Sequence, residues 1–402
     1  MILAHKIALD PNDRQATHFA KAAGTARFAW NWALGQWRDQ YQGGGKPNEA
    51  ALRKQLNAIK DEQFPWMADV TKNAPQQAIK NLGTAFKNFF DGRAKFPRFK
   101  KKGVHDSFRA DNGPQVKGAD AVIVDGKRVR LPVIGWVRMR EPLRFAGQVK
   151  SAVVSRTADR WFVSLQVEIP DRAVPENQGA AVGVDLGVKA LATLSDGGTF
   201  EGPKALRKNL KKLRRMSRSL SRKTKGSSNR RKAKLNIARL HARIGNIRKD
   251  ATHKATTTIA KNHGVIVIED LNVRGMMAND KLSRAIADVG LHEFRRQIDY
   301  KALLNGSKII VADRWYPSSK TCSTCGYKME VLPLSVRDWT CPACGCAHDR
   351  DVNAAKNLVK LAVSSTVSAC GEEGSGGRRK AGRETSLEEA GTERRLSLGI
   401  NG

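Results

Sequence analysis

The sequence predicts an α+β chain of more than one domain, and three observations carry that expectation. Strand alternation gives way to helical periodicity after residue 10 and returns from about 107 to 170, so helices interrupt a sheet. The segment PDRAVPENQG (170–179) then reads as a linker, after which short strands and long helices alternate. All six cysteines lie between positions 322 and 370, in the last quarter of the chain.

HKIALD (5–10) predicts a strand. Asp10 and Pro11 read as a helix N-cap followed by proline at the first helical position. The helix that follows, about 13–41, spaces Phe19, Ala23, Trp30, Leu34 and Trp37 along one side, as core residues. Further helices fit 48–61 and 75–91. GRAKFPRFKKKG (92–103) breaks the pattern and alternates Phe96 and Phe99 with cations. Phe96, Arg98, Lys100, Lys101 and Lys102 there could stack on bases and meet phosphates, or form a solvated run. From 107 to 170 strands dominate. AVIVDGKRVRLP is a hairpin with an Asp-Gly turn, and SAVVSRTADRWFVSLQVEIP is a second. Residues 1–170 therefore suit a small β-barrel or a curled sheet.

AAVGVDLGVKALATLSDGGTFEG (180–202) predicts three consecutive antiparallel strands. Residues 204–249 hold 19 Lys+Arg and no Asp or Glu. Leu206, Leu210, Leu213 and Leu220 form one apolar seam; Ile237, Leu240, Ile244 and Ile247 form another beyond the break at KGSSN. The pattern is a helical hairpin with an apolar interior and a cationic exterior. Lys211, Lys212, Arg214, Arg215, Arg218, Arg230 and Arg231 are its candidate nucleic-acid contacts. VIVIEDL (265–271) and KIIVADRW (308–315) read as short buried strands. The tail, 366–402, is expected to be disordered.

Charge narrows the partner. The 402 residues carry 72 Lys+Arg against 38 Asp+Glu, a net +34, with 40% hydrophobic residues. Such an excess favours a polyanion, since binding releases condensed counterions from phosphates. No apolar run has the length of a membrane span, and MILAHKIALDPND lacks the layout of a signal peptide. A cytosolic protein is the expectation.

Two metal chemistries are visible. The spacing CSTC-x15-CPAC offers Cys322, Cys325, Cys341 and Cys344 as the ligands of a structural zinc ribbon. A redox pair would need only one CxxC. Cys346 is expected to stay outside the ligand set, and Cys370 lies in the tail. A zinc centre closed by four thiolates performs no chemistry, so attention moves to acids in unusual places. Asp185 ends the apolar strand AVGVD. Glu269 closes VIVIE, with Asp270 as a rival. Asp351 or Asp349 stands where the helix DVNAAKNL begins. Carboxylates about 4 Å apart repel by about 4 kcal/mol at an effective dielectric of about 20, so gathering three demands cations. Two Mg2+ ions bridged by carboxylates are the common solution for in-line cleavage of phosphodiesters. A meander opening with one acid, a central strand ending in the second and a helix start bearing the third is the layout of an RNase H-like nuclease.

At this point the sequence resembles the TnpB family of transposon-encoded RNA-guided endonucleases, relatives of the small type V CRISPR effectors. The matching words are ARFAWNWAL (26–34), KFPRFKKK (95–102), GVDLG (183–187), VIVIEDLNVRGM (265–276), YPSSKTCSTCG (316–326), RDWTCPACG (337–345) and HDRDVNAAKNL (348–358). The resemblance implies a β-barrel (1–10 and about 96–175) with an inserted helical recognition part (11–95). A RuvC-type α/β nuclease domain (176–365) follows, carrying the basic hairpin (203–260) and the zinc ribbon (318–347). It implies Asp185, Glu269 and Asp351 as the Mg2+-binding catalytic triad. It also implies a monomeric ribonucleoprotein with a guide RNA from the transposon end, which pairs with target DNA beside a short flanking motif. Lys72 and Gln76 match the residues that read that motif in the family.

Three rival readings fit the residues less well. A guided binder that no longer cuts would have lost triad acids, and all three remain. A paired-histidine strand transferase needs a His-hydrophobic-His pair, and none is found; double-strand transposases use Asp, Asp, Glu, an order this chain does not follow. An actin-like ATPase usually has Thr or Ser where Val188 stands, and a second Asp-x-Gly-Gly loop that is missing.

Overall fold

A computed structural model describes residues 1–112, 116, 118–170 and 174–370, with 362–370 as backbone alone. The first strand, β1 (Ile2–Asp10), is followed by helices α1 (Asp13–Gln42), α2 (Glu49–Gln63) and α3 (Asn73–Phe90). Strands β2 (Ser107–Asp111), β3 (Ile123–Asp125), β4 (Arg128–Leu131), β5 (Gly135–Met139), β6 (Gln148–Thr157) and β7 (Arg160–Glu168) complete a seven-stranded sheet of order β2-β6-β7-β1-β5-β4-β3.

This sheet is curled but open, which corrects the expected barrel among the described residues. β2 and β3 are its two edges and do not pair with each other, while α1 and α3 pack against β2. One side chain links the sheet's two ends instead: Asn112, just past β2, donates to Val149 O at 2.9 Å and to Val122 O, before β3, at 2.7 Å. The expected hairpin forms, but its two-residue turn is Gly126-Lys127, one position on from the expected Asp-Gly, since Asp125 pairs with Arg128; Gly126 has φ 54°, a conformation that favours glycine.

The cap of α1 also departs from expectation. Asp10 stays in β1, paired opposite Arg138. Asn12 is the N-cap: its side chain accepts from Gln15 N at 2.9 Å while Gln15 Oε1 accepts from Asn12 N at 3.1 Å. Pro11 therefore precedes the cap rather than opening the helix. Phe19, Ala23, Trp30, Leu34 and Trp37 are core residues as expected. Phe19 meets Phe108 and Trp161, and Trp37 stacks on Phe86 at 4.0 Å.

In the second half, β8 (Val182–Asp185), β9 (Ala192–Leu194) and β10 (Thr199–Phe200) form the expected meander. Then come α4 (Ala205–Ser221), α5 (Ser228–Asn262), β11 (Val265–Glu269), α6 (Val273–Met277), α7 (Ser283–Val289), α8 (Leu291–Asn305) and β12 (Lys308–Ala312). The sheet runs β10-β9-β8-β11-β12, with β8, β11 and β12 parallel. Parallel strands buried on both faces read as apolar runs, and VIVI does so. Alternation assigns the faces: Ile266 and Ile268 meet Ile259 of α5 and Phe294 and Ile298 of α8. Val267 faces Leu358 of α9 (Arg350–Cys370) on the other side. The backbone of α9 thus extends past 366, where the tail was expected to begin; positions 371–402 lie outside the described residues. Short strands β13 (Asp338–Thr340) and β14 (Ala347–Asp349) pair just before α9.

The basic hairpin forms as expected. Ala205, Leu240 and Ile244 are buried between α4 and α5, with Leu206, Leu213, Met216 and Ile247 around them. Buried Asp288 fixes its base, accepting from Leu206 N, Arg207 N and Arg248 Nε at 2.8–3.0 Å. Arg239 reaches Asp159 at the β6–β7 turn, 2.7 Å away.

Candidate functional site

Asp185 and Glu269 end neighbouring parallel strands. Their register pairs Val184 with Ile268, so the next residue on each strand is the acid. Asp351 enters from the first turn of α9, which packs across β8. This crossing requires glycine at 183, since a Cβ there would lie 1.9 Å from Ala355 O.

The Asp185 carboxyl is pushed up to about 8, first by burial and then by the negative charges of Glu269 and Asp351; Arg350 and Arg337 offset this in part. The three expected acids therefore face a common space. Arg337 Nη1 donates to Asp351 Oδ1 at 2.9 Å. Buried Arg350 is held by Pro333 O at 2.6 Å and faces Asp185 electrostatically. The rival acids have other employment. Asp349 is the helix cap, its Oδ1 accepting from Asp351 N at 3.0 Å and Val352 N at 2.9 Å. Asp270 is bound by Arg314. Three carboxylates are the type of oxygen donor that a hard divalent cation takes.

Cys322, Cys325, Cys341 and Cys344 bring their four sulfurs within 4.8 Å of one another, a tighter group than any other histidine, cysteine or acid set among the described residues. The Cys322–Cys344 and Cys325–Cys341 Sγ separations are 3.7 and 3.6 Å. A tetrahedron with metal–sulfur bonds of about 2.3 Å has edges of about 3.8 Å, so the thiols fit Zn2+. Burial raises the Cys322 thiol, but the Cys325 and Thr324 amides and His348 outweigh it and bring it down to about 5. His348 Nε2 lies 3.0 Å from Cys322 Sγ. Cys346 contributes its carbonyl to the Cys341 amide rather than its sulfur to the cluster.

The other expected contact residues are scattered over the surface. Lys72 precedes α3 and Gln76 lies in its first turn; both line a concavity of about 320 Å3 between α2 and α3. Lys72 Nζ is 3.5 Å from Asp120 Oδ2. Segment 96–100 is laid along α1: Trp30 Nε1 donates to Arg98 O at 3.0 Å and Asn31 Nδ2 to Lys100 O at 3.0 Å. Arg38 covers Phe96 and Phe99, and Lys100 Nζ sits 3.9 Å over Trp30, its charge disfavoured by burial. Lys100 is thereby engaged with α1, though it is exposed, as are Arg98, Lys101 and Lys102. On the hairpin, Lys211, Lys212, Arg214, Arg215, Arg218 and Arg231 are exposed. Arg230 is different: its Nη1 donates to Leu220 O and Lys223 O at 2.9 and 2.8 Å, tying the end of α4 to α5.

Sequence reasoning missed Ser318, Arg337, Arg350, Asn353 and Asn357. Ser318 donates to Glu269, and the two asparagines, both buried, hold the backbone of the first cysteine knuckle. A signal existed for the asparagines, because two of them four apart inside a helix run against propensity unless they have partners.

Three family models match the chain: "Probable transposase" over 164–280, "Cas12f1-like, TNB domain" over 292–358 and "Helix-turn-helix domain" over 1–46. The last spans β1 and one uninterrupted helix here. A "Putative RNA-guided DNA endonuclease" of Streptomyces pristinaespiralis is 39% identical over 92% of this chain and 91% of its own. A "Putative RNA-guided DNA endonuclease InsQ" of Escherichia coli K12 is 37% identical over 93% and 95%. Among solved structures, Cas12f1 in a complex with sgRNA and target DNA aligns with a TM-score of 0.54 at 16% identity, covering 87% of this chain and 83% of that one, a likeness of fold. With near full-length relatives at this identity and the transposase model spanning the strands of Asp185 and Glu269, the chain belongs to the TnpB family.

Proposed function

We propose that this protein is an RNA-guided DNA endonuclease whose active site is Asp185, Glu269 and Asp351. The observation that carries this reading is the placement of the three carboxylates at the C-terminal ends of β8 and β11 and the start of α9, where burial first, and the two neighbouring acids second, disfavour the charge on Asp185. Near full-length relatives bearing that name support it.

Asp185, Glu269 and Asp351 would hold two Mg2+ ions, which when bound supply activation of water and stabilisation of the leaving oxygen. Asp185 gives up its proton as the site loads. Ser318 and Arg337 orient Glu269 and Asp351. Arg350, buried beside Asp185, limits the repulsion among the acids. Cys322, Cys325, Cys341 and Cys344 would hold Zn2+ and brace the loops that carry these helpers.

The RNA partner is a guide from the transposon end, and the exposed cations of α4 and α5 are its contact surface. Lys72 and Gln76 read a short DNA motif flanking the target. The chain acts as one copy in a cytoplasmic ribonucleoprotein, with 1–175 gripping the motif-bearing duplex and 176–365 cutting. Among the described residues no helix is long and apolar enough to cross a membrane.

The test is plasmid cleavage by the complex purified with its own RNA. With Mg2+ and a matched target the plasmid is expected to be cut. Asp185→Ala, Glu269→Ala and Asp351→Ala are each expected to lose at least a hundredfold in rate while retaining the RNA. Undiminished cutting by any of the three would remove that residue from the site.

A further inference from the structure

Ser318 stands between the two metal chemistries. It is 4% exposed, and its hydroxyl donates to Glu269 Oε1, across 49 positions of sequence. Its backbone belongs to the turn that runs into the first cysteine pair: Thr321 N bonds Pro317 O, and Cys322 follows. α9 clamps that turn. Asn357 Nδ2 donates to Ser318 O at 2.7 Å and to Thr321 O at 2.6 Å, Asn353 Nδ2 donates to Thr321 O at 2.7 Å, and Asn353 Oδ1 accepts from Ser323 N at 2.8 Å. A continuous set of short bonds thus leads from the backbone around Cys322 to one carboxylate.

A glutamate at a strand end has several rotamers open to it, and a charge-assisted hydrogen bond from a fixed hydroxyl selects one. Outer donors of this kind tune metal ligands elsewhere, and losing one typically costs 10–100-fold in affinity. Serines in turns usually bond the neighbouring backbone; this one reaches away from its own turn.

We propose that Ser318 is a positioning residue that sets Glu269 for divalent-ion binding, and that metal held by the four cysteines sets Ser318, so the two metal sites are coupled through the first knuckle. The proposal rests on reading the carboxylates as the ion site.

The test is a double-mutant cycle on the full chain, read by Mn2+ binding from the EPR signal of the free ion. Asp185→Ala identifies the carboxylate share of that binding. Ser318→Ala is expected to weaken this share about tenfold with its zinc content unchanged; Ser318→Thr, which keeps the hydroxyl, is expected to retain most of it. Cys344→Ser is expected to weaken Mn2+ binding by a similar factor, and Ser318→Ala with Cys344→Ser to lose no more than the worse single variant. Wild-type affinity in Ser318→Ala, loss of its zinc, or additive losses in the double variant would each overturn the coupling while leaving the ion site standing. Absence of any Asp185-dependent Mn2+ binding in the wild-type chain would overturn the nuclease reading together with it.

Discussion

Asp185 concentrates the chemistry at the residue scale. Its folded carboxyl titrates near 8 against an ordinary value of 3.8, because burial and two neighbouring acids disfavour the charge. Between those pH values the ion-free native state holds a proton that the unfolded chain has released. Stability therefore falls as pH rises from about 4 to about 8. A divalent ion bound at the proposed site would replace that proton, so its stabilising effect would grow over the same window. Melting curves in Mg2+-free buffer are expected to show this decline, and Asp185→Asn to reduce it; added Mg2+ should raise the wild-type Tm more at pH 8 than at pH 6. Equal Mg2+ effects at both pH values would contradict the assignment. The residue scale is also where the linear pattern was ambiguous. Asp349 and Asp351 sit two apart and either suits a helix start; the two amides bonded to Asp349 decide which is the cap.

At the scale of elements, the contact of β8 with α9 brings Asp185 and Asp351 together, and it tolerates no side chain at position 183. Gly183→Ala forces strand and helix apart and is expected to cost about 1–3 kcal/mol or more of stability. Thermal unfolding would show this, and Mn2+ binding should fall with it. An unchanged Tm would mean the elements meet less closely. The hairpin offers a second test. Arg230 satisfies two carbonyls at the end of α4, so Arg230→Ala should lower stability by about 1–2 kcal/mol in urea unfolding. Arg231, exposed, should lose RNA affinity on charge reversal with little change in stability. The reverse pattern would exchange their roles. Elements were the most legible level of this sequence: the helices, the meander and the apolar strands follow from periodicity. The α1 cap was misassigned because Asp-Pro and Asn three before Gln are both start signals, and only the reciprocal bonds of Asn12 and Gln15 separate them.

Over the whole molecule, 19 charges of the net +34 fall on one arm, residues 204–249. α4 and α5 present cations outward, while acids that could neutralise them sit at the base, as Asp288, or across at Asp159. RNA affinity should accordingly fall steeply with salt. Reversing Lys211, Lys212, Arg214 and Arg215 together is expected to reduce the slope of log K against log salt by about 3–4 units. Filter binding over 50–300 mM salt measures this, and an unaltered slope would make the hairpin a solvated face. The open sheet belongs to this scale as well. Its strands follow from alternation, but whether it closes depends on whether the edge strands β2 and β3 pair, and they do not.

Cysteine spacing, the acid-free basic run and the apolar strands ending in acid were determined by the sequence alone, because each is local: ligand pairs, helix faces and strand ends are set by neighbours a few positions away. Tertiary structure alone decided that Asp185, Glu269 and Asp351 share one space, that Asp270 and Asp349 are otherwise engaged, and that Ser318 reaches Glu269. Those facts join positions far apart in the chain or distinguish adjacent ones by their direction, and only the packing of α9 and the cysteine knuckle onto the strand ends fixes either.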